Sequence, residues 1–171
     1  KRAHNSTFNI ANRSHNAMQA KNSIEIAINS RIKNISVDIM FNLPNQGLTK
    51  LDESLNICFG YDINHLSIYD LTIEPNTVLH KRILQNEINK PSDAIFIKQY
   101  NHIADLSEKK GFLNYEISNF SKKNYESNHN KNYWFGSEYL GVGPSAHSFN
   151  GLSRRWNVKN NFLYMKYLKN D

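Results

Sequence analysis

The residues with the widest chemical reach are carboxylates and a hydroxyl set at the ends of apolar runs. Asp38 lies between Val37 and Ile39 in "NISVDIMFNLP". A carboxylate buried without donors is costly, so this one is expected to accept hydrogen bonds. The donors are either a ligand, such as ribose hydroxyls at the carboxyl end of a strand, or a neighbouring loop. Thr72 closes the apolar run of "HLSIYDLTIEP", where it would face the same mouth as Asp38. In "YEISNF" the alternation puts Tyr115, Ile117 and Asn119 on one face and Glu116, Ser118 and Phe120 on the other. Glu116 is then either a site group or half of a buried ion pair with an arginine or lysine. Arg13, in "NRSHN" ahead of a helix, either meets an anionic group or lies on the surface.

Two further motifs stand late in the chain. "HNKNYW", residues 129 to 134, offers the imidazole of His129 beside the rings of Tyr133 and Trp134. With His147 it supplies candidates for iron ligation or general-acid work, against the alternative of hydrogen-bonded structural histidines. The two rings serve equally as ligand-stacking surfaces or as core packing. "GVGPSAH" lacks the lysine and following helix of a phosphate loop. Its glycines let the backbone turn closely past something, and Pro144 fixes the turn.

These groups need elements to hold them. "AMQAKNSIEIAINSRI" places Ala17, Ala20, Ile24, Ala27 and Ile28 on one helical stripe, with Asn16 as N-cap. "NISVDIMFNLP" reads as a strand buried on both faces and stopped by Pro44. A helix follows over "TKLDESLNICFGY", with Thr49 or Asp52 near its start, and then a second buried strand closed by Pro75. Residues 76 to 91 read as a connection. "SDAIFIKQYNHIADLSEKKG" forms a helix capped by Ser92 and stopped at Gly111, with Ile97, Tyr100, Ile103 and Ala104 on one face. "FLNYEISNF" is a third strand, 121 to 128 a polar loop, and "NNFLYMKYLK" a last helical piece. Alternating helices and strands with long crossovers mean α/β with parallel pairing, as an open doubly wound sheet or an arc of a β/α barrel.

Composition sets the outer limits. A chain of 171 residues, 39% apolar, is sized for one domain with a core. No run approaches the roughly 18 apolar residues of a membrane helix. No export leader is visible. The chain opens on Lys1 rather than methionine, so its start is expected upstream. The single cysteine, Cys58, excludes an internal disulfide and a multi-cysteine metal site, and fits a reducing cytoplasm. It reads as a buried structural thiol. The net charge of +6 is mostly scattered lysine without interleaved aromatics, so nucleic acid is not an expected partner.

Taken in order, "NRSHN", "VDIMFNLP", "LSIYDLTIEP", "YEISNF", "HNKNYW", "YLGVGPSAHSF" and "SRRWN" resemble one family over essentially the whole chain. It is the HemW-like heme chaperones, relatives of the oxygen-independent coproporphyrinogen III oxidase in the radical S-adenosylmethionine superfamily. The resemblance implies a fragment. Residues 1–120 would be the later part of a partial β/α (TIM-like) barrel. Residues 121–171 would be an HNxxYW-bearing extension cut before a C-terminal helical domain. It further implies a 4Fe–4S cluster whose cysteines lie upstream, S-adenosylmethionine, and heme. Arg13, Asp38, Thr72 and His147 would contact S-adenosylmethionine, the last two through the backbone. His129, with Tyr133 and Trp134, would be the heme-related set, since HNxxYW belongs to the HemW-like branch.

The implied role is heme binding and delivery to acceptor hemoproteins, membrane-bound clients included. The alternative is oxidative decarboxylation of coproporphyrinogen III. On either reading the fragment alone is expected to be inactive. One departure from the pattern is Asn42, which stands where the family usually reads the glycine of "GLP". Asparagine tolerates positive φ, so the turn is expected to survive. Binding would weaken only if glycine were needed for close approach to the cofactor.

Overall fold

The computed structural model describes residues 16–169. The chain divides into two compact units between Glu126 and Ser127.

The first unit opens with α1 (Ala17–Ile28), whose Asn16 cap accepts from the backbone N–H of Met18 and Gln19 while the Gln19 side chain reciprocates. Then follow β1 (Ser36–Phe41), α2 (Leu48–Phe59), β2 (His65–Asp70), α3 (Val78–Leu84), α4 (Asp93–Lys109), β3 (Leu113–Asn114) and β4 (Asn119–Ser121). The strands form one sheet in the order β1-β2-β4-β3. β1 and β2 are parallel, with Asp38 opposite Ser67, as the crossover through α2 requires.

Two expectations change here. "FLNYEISNF" is not one strand: it bends at 116–118 and returns, so β4 runs antiparallel to both β2 and β3. Asn114 drives the bend, its side-chain amide donating to the carbonyls of Glu116 and Asn119. Residues 76–91 contain α3, whose cap is Thr77. α2 starts at Leu48 behind Gly47, which puts Thr49 near its start as expected.

β1 is not buried on both faces, whereas β2 is, from His65 to Ile68. Alternation within each strand separates an apolar set (Val37, Ile39 and Phe41; Leu66 and Ile68) from a mostly polar one (Ser36, Asp38 and Met40; His65, Ser67 and Tyr69). All the helical packing falls on the apolar side. There Ile39, Phe41, Leu66, Ile68 and Phe120 meet Leu51, Leu55 and Cys58 of α2 and Ile103 of α4. Phe41 stacks on Phe96, with ring centroids 5.5 Å apart. α4 keeps its Ser92 cap, and Gly111 ends it at φ 79°. Its buried stripe is Gln99, Ile103 and Ser107, while Ile97 points outward.

The second unit contains α5 (Asn128–Trp134), β5 (His147–Phe149), β6 (Arg154–Trp156) and α6 (Asn161–Leu168). "HNKNYW" is therefore a short helix, capped by Ser127. β5 and β6 form an antiparallel hairpin not foreseen in the sequence, and Tyr139 adds an isolated bridge to Phe149.

Candidate functional site

The polar face of the sheet is the first concentration of chemistry. His65, buried at the start of β2, is held through both ring nitrogens: Nδ1 lies 2.7 Å from the Ser36 hydroxyl and Nε2 2.7 Å from the Tyr115 hydroxyl. Burial pushes its pKa below the ordinary value near 6.5, although the Asp38 and Glu116 carboxylates pull the other way. A neutral imidazole can donate from one nitrogen and accept at the other, and a hydroxyl complements either role. Among the described residues Glu116 is engaged by neighbours rather than by a cation: its carboxylate accepts from the Asn119 side chain and from the backbone N–H of Ser118. Asn119 and Ser121, opposite Ser67 and His65, are buried, and their Oδ1 and Oγ have no partner.

Asp38 belongs to this face. It is exposed rather than buried, so its carboxylate is open to a ligand. Thr72 lies just past the end of β2 and is also exposed. Arg13 lies outside the described residues.

Between these points runs the turn after β1. Asn42 adopts φ 57°, a left-handed conformation that asparagine tolerates, and its side-chain amide donates to Asp70 at 2.8 Å. Gln99, reaching in from α4, accepts from the Asn42 N–H at 2.8 Å and donates to the Gln46 carbonyl at 2.6 Å.

In the second unit the "GVGPSAH" turn is held from all sides. The Asn157 side chain donates to the carbonyls of Gly143 at 2.9 Å and Gly141 at 3.2 Å. The Gly141 N–H donates to Ser148 Oγ, and the Gly143 N–H to the Tyr164 hydroxyl. A Cβ on Gly141 would collide with the His147 carbonyl oxygen. The close approach that the glycine permits is thus to the chain itself. His147 is exposed, its ring 6.0 Å from that of Trp156 across the hairpin. On α5, the exposed His129 meets Tyr133 edge-to-face at 5.1 Å, and Tyr133 meets Tyr139 at 4.9 Å. Trp134 is 63% exposed.

Sequence reasoning passed over His65, Gln99 and Asn157. His65 had a signal, the alternation His-Ser-Tyr within "HLSIYD". Gln99 had none, since its partners are 57 and 53 residues away. Among the described residues no cluster of His, Cys, Asp or Glu could hold a metal ion. Cys58 is buried, its thiol pushed up to about 11 by desolvation. A 4Fe–4S cluster therefore finds no ligand set among these residues. No described helix is long and apolar enough to cross a membrane.

A sheet covered by helices on one face and polar on the other is how an arc of a β/α barrel looks from its own chain. The fold is that of the Escherichia coli coproporphyrinogen III oxidase (HemN), a radical SAM enzyme. The two superpose with a TM-score of 0.77 at 15% identity, over 98% of this chain and 41% of that one. No protein-family model matches the chain. Sequence similarity is closer. The Bacillus subtilis heme chaperone HemW is 36% identical over 146 residues, 85% of this chain and 38% of its own. The HemW of Buchnera aphidicola (subsp. Schizaphis graminum) is 38% identical over 144 residues, 80% of this chain and 37% of its own. The mitochondrial radical S-adenosyl methionine domain-containing protein 1 of Danio rerio is 37% identical over 142 residues, 81% of this chain and 31% of its own. The chain belongs to the HemW/HemN-like radical S-adenosylmethionine family, of which it is a fragment spanning less than two fifths of these relatives.

Proposed function

We propose that the intact protein is a heme chaperone that binds heme and passes it to hemoproteins in the cytoplasm. The observation that carries this is the "HNKNYW" helix. It presents His129 with an exposed imidazole, steadied by the edge of Tyr133, and leaves Trp134 open beside it. Imidazole is a sensible axial ligand for heme iron, and the two rings offer flat apolar surface to a porphyrin. Relatives named as heme chaperones support the same reading.

In the first unit, Asp38 accepts from the hydroxyls or ammonium of S-adenosylmethionine, and the backbone at Thr72 borders the same mouth. Arg13 and the His147 peptide complete the proposed contacts. The open Asp38 carboxylate on an otherwise polar face fits such a donor-rich cofactor. S-adenosylmethionine beside a reduced cluster supplies one-electron chemistry, while this chain's residues bind and orient it. Residues 1–120 and 121–171 are assigned to the barrel and its extension.

The test is to offer the intact, cluster-reconstituted protein heme and coproporphyrinogen III separately. Stoichiometric appearance of a heme absorption band without decarboxylation is expected, with the band weakened or shifted in His129→Ala. Turnover of coproporphyrinogen III would replace this reading with the oxidase.

A further inference from the structure

We infer that Gln99 is a positioning residue of the S-adenosylmethionine mouth, fixing the turn that follows the Asp38 strand; this rests on the cofactor reading above. Gln99 is 1% exposed, on the buried stripe of α4 between the sheet and α2. A primary amide in such a place needs partners for both of its ends. It finds them on one turn: Oε1 takes the N–H of Asn42, and Nε2 gives to the carbonyl of Gln46. A single side chain thus spans residues 42 to 46 from behind.

That turn holds two residues in the left-handed region. Asn42 and Asn45 both sit at positive φ, 57° and 59°, a region that non-glycine residues enter at a cost. Other ties reinforce it: the Leu43 N–H donates to Gln46 Oε1, the Gln46 N–H to the Leu43 carbonyl, Lys50 Nζ to the Asn45 carbonyl, and Asn42 Nδ2 to Asp70 at the end of β2. The turn is therefore anchored to α4 on one side and to β2, just before Thr72, on the other. It leaves β1 at its carboxyl end, where parallel α/β proteins bind ligands. Gln99 touches no ligand; it sets where the backbone beyond Asp38 stands.

The experiment uses the intact protein with its cluster assembled. The dissociation constant of S-adenosylmethionine is measured by equilibrium dialysis for wild type, Gln99→Leu and Gln99→Glu between pH 6 and 8. Hydrogen exchange at residues 42–46 is followed in parallel. Gln99→Leu removes one buried and one part-buried hydrogen bond from the turn and is expected to weaken binding about tenfold, with faster exchange confined to the turn.

Gln99→Glu separates positioning from packing. A protonated carboxyl both accepts and donates, whereas the ionised form cannot donate to Gln46 and faces its carbonyl. Its affinity relative to wild type is expected to match Gln99→Leu at pH 8 and to recover as pH falls toward 6, since burial raises a carboxyl pKa. Binding by Gln99→Leu within twofold of wild type would overturn the inference. So would a Gln99→Glu to wild-type ratio that does not change with pH, which also decides the matter if Gln99→Leu fails to fold. A wild type that does not bind S-adenosylmethionine would sink the cofactor reading and this inference together, whereas binding indifferent to Gln99 sinks only the inference.

Discussion

The two units hold themselves together by different means. Every buried apolar side chain among the described residues lies in the first unit, from Ala17 to Phe120. Leu51, Leu55, Ile63 and Leu66 there are wholly inaccessible. Among the described residues of the second unit the one buried residue is Ser148, while Trp134, Phe135, Leu140, Val142, Leu152 and Phe162 are all exposed. Its order comes from polar ties around one turn and a run of ring contacts through His129, Tyr133, Tyr139 and Phe149. A core of many weak, non-directional contacts tolerates local change. A structure resting on a few directional bonds fails where one of them is removed.

That contrast can be broken or sharpened in the intact protein. The largest effect is expected from Gly141→Ala. Its Cβ would fall on the His147 carbonyl, so the turn must open, and limited proteolysis should cut at 140–157 while the first unit stays resistant. Leu55→Ala removes a side chain from the centre of the core and should cost about 3 kcal/mol by denaturant titration, without changing the cleavage pattern of the second unit. Asn157→Ala deletes both ties to the glycine carbonyls; a loss of about 1–2 kcal/mol is expected, read as local hydrogen exchange at 141–146. If Leu55→Ala loosens the second unit as much as Asn157→Ala does, the contrast is wrong.

The smaller effects concern titration within the first unit. His65 has its folded pKa depressed, so the unfolded chain binds more protons between that value and about 6.5. Stability is then complete above about 6.5 and is lost as pH falls through the folded pKa. Melting temperature should decline over that interval in the wild type, and His65→Gln should show a shallower decline. A variant as pH-sensitive as the wild type would show that other groups set the acid limb. Cys58, pushed up to about 11, should resist iodoacetamide at pH 8 until the protein unfolds.

Much of the first unit was legible because its signals are local. The 3.6-residue stripe of α1 and its Asn16 cap, the Ser92 cap of α4, and the positive φ of Asn42 each follow from a few neighbouring residues. Asp38 was located on the right strand, but its burial was misjudged. An apolar flank on either side describes the opposite face of a strand and says nothing of what covers the carboxylate. The Asn114-driven bend at 116–118 and the short β5–β6 hairpin escaped because strands of two or three residues leave no periodicity to read.

By itself, then, the sequence determined the α/β class, the family and the caps of α1 and α4, and it supplied Arg13, Asp38, Thr72, His129, Tyr133, Trp134 and His147 as candidates. It could do so because caps, alternation and motif order are properties of adjacent residues. Tertiary structure alone decided that β4 runs antiparallel, that Asp38 is open, that Ser36 and Tyr115 grip His65, and that Gln99 and Asn157 hold the two turns. Those facts depend on partners 14 to 57 residues apart, whose meeting is fixed by packing rather than by any local pattern.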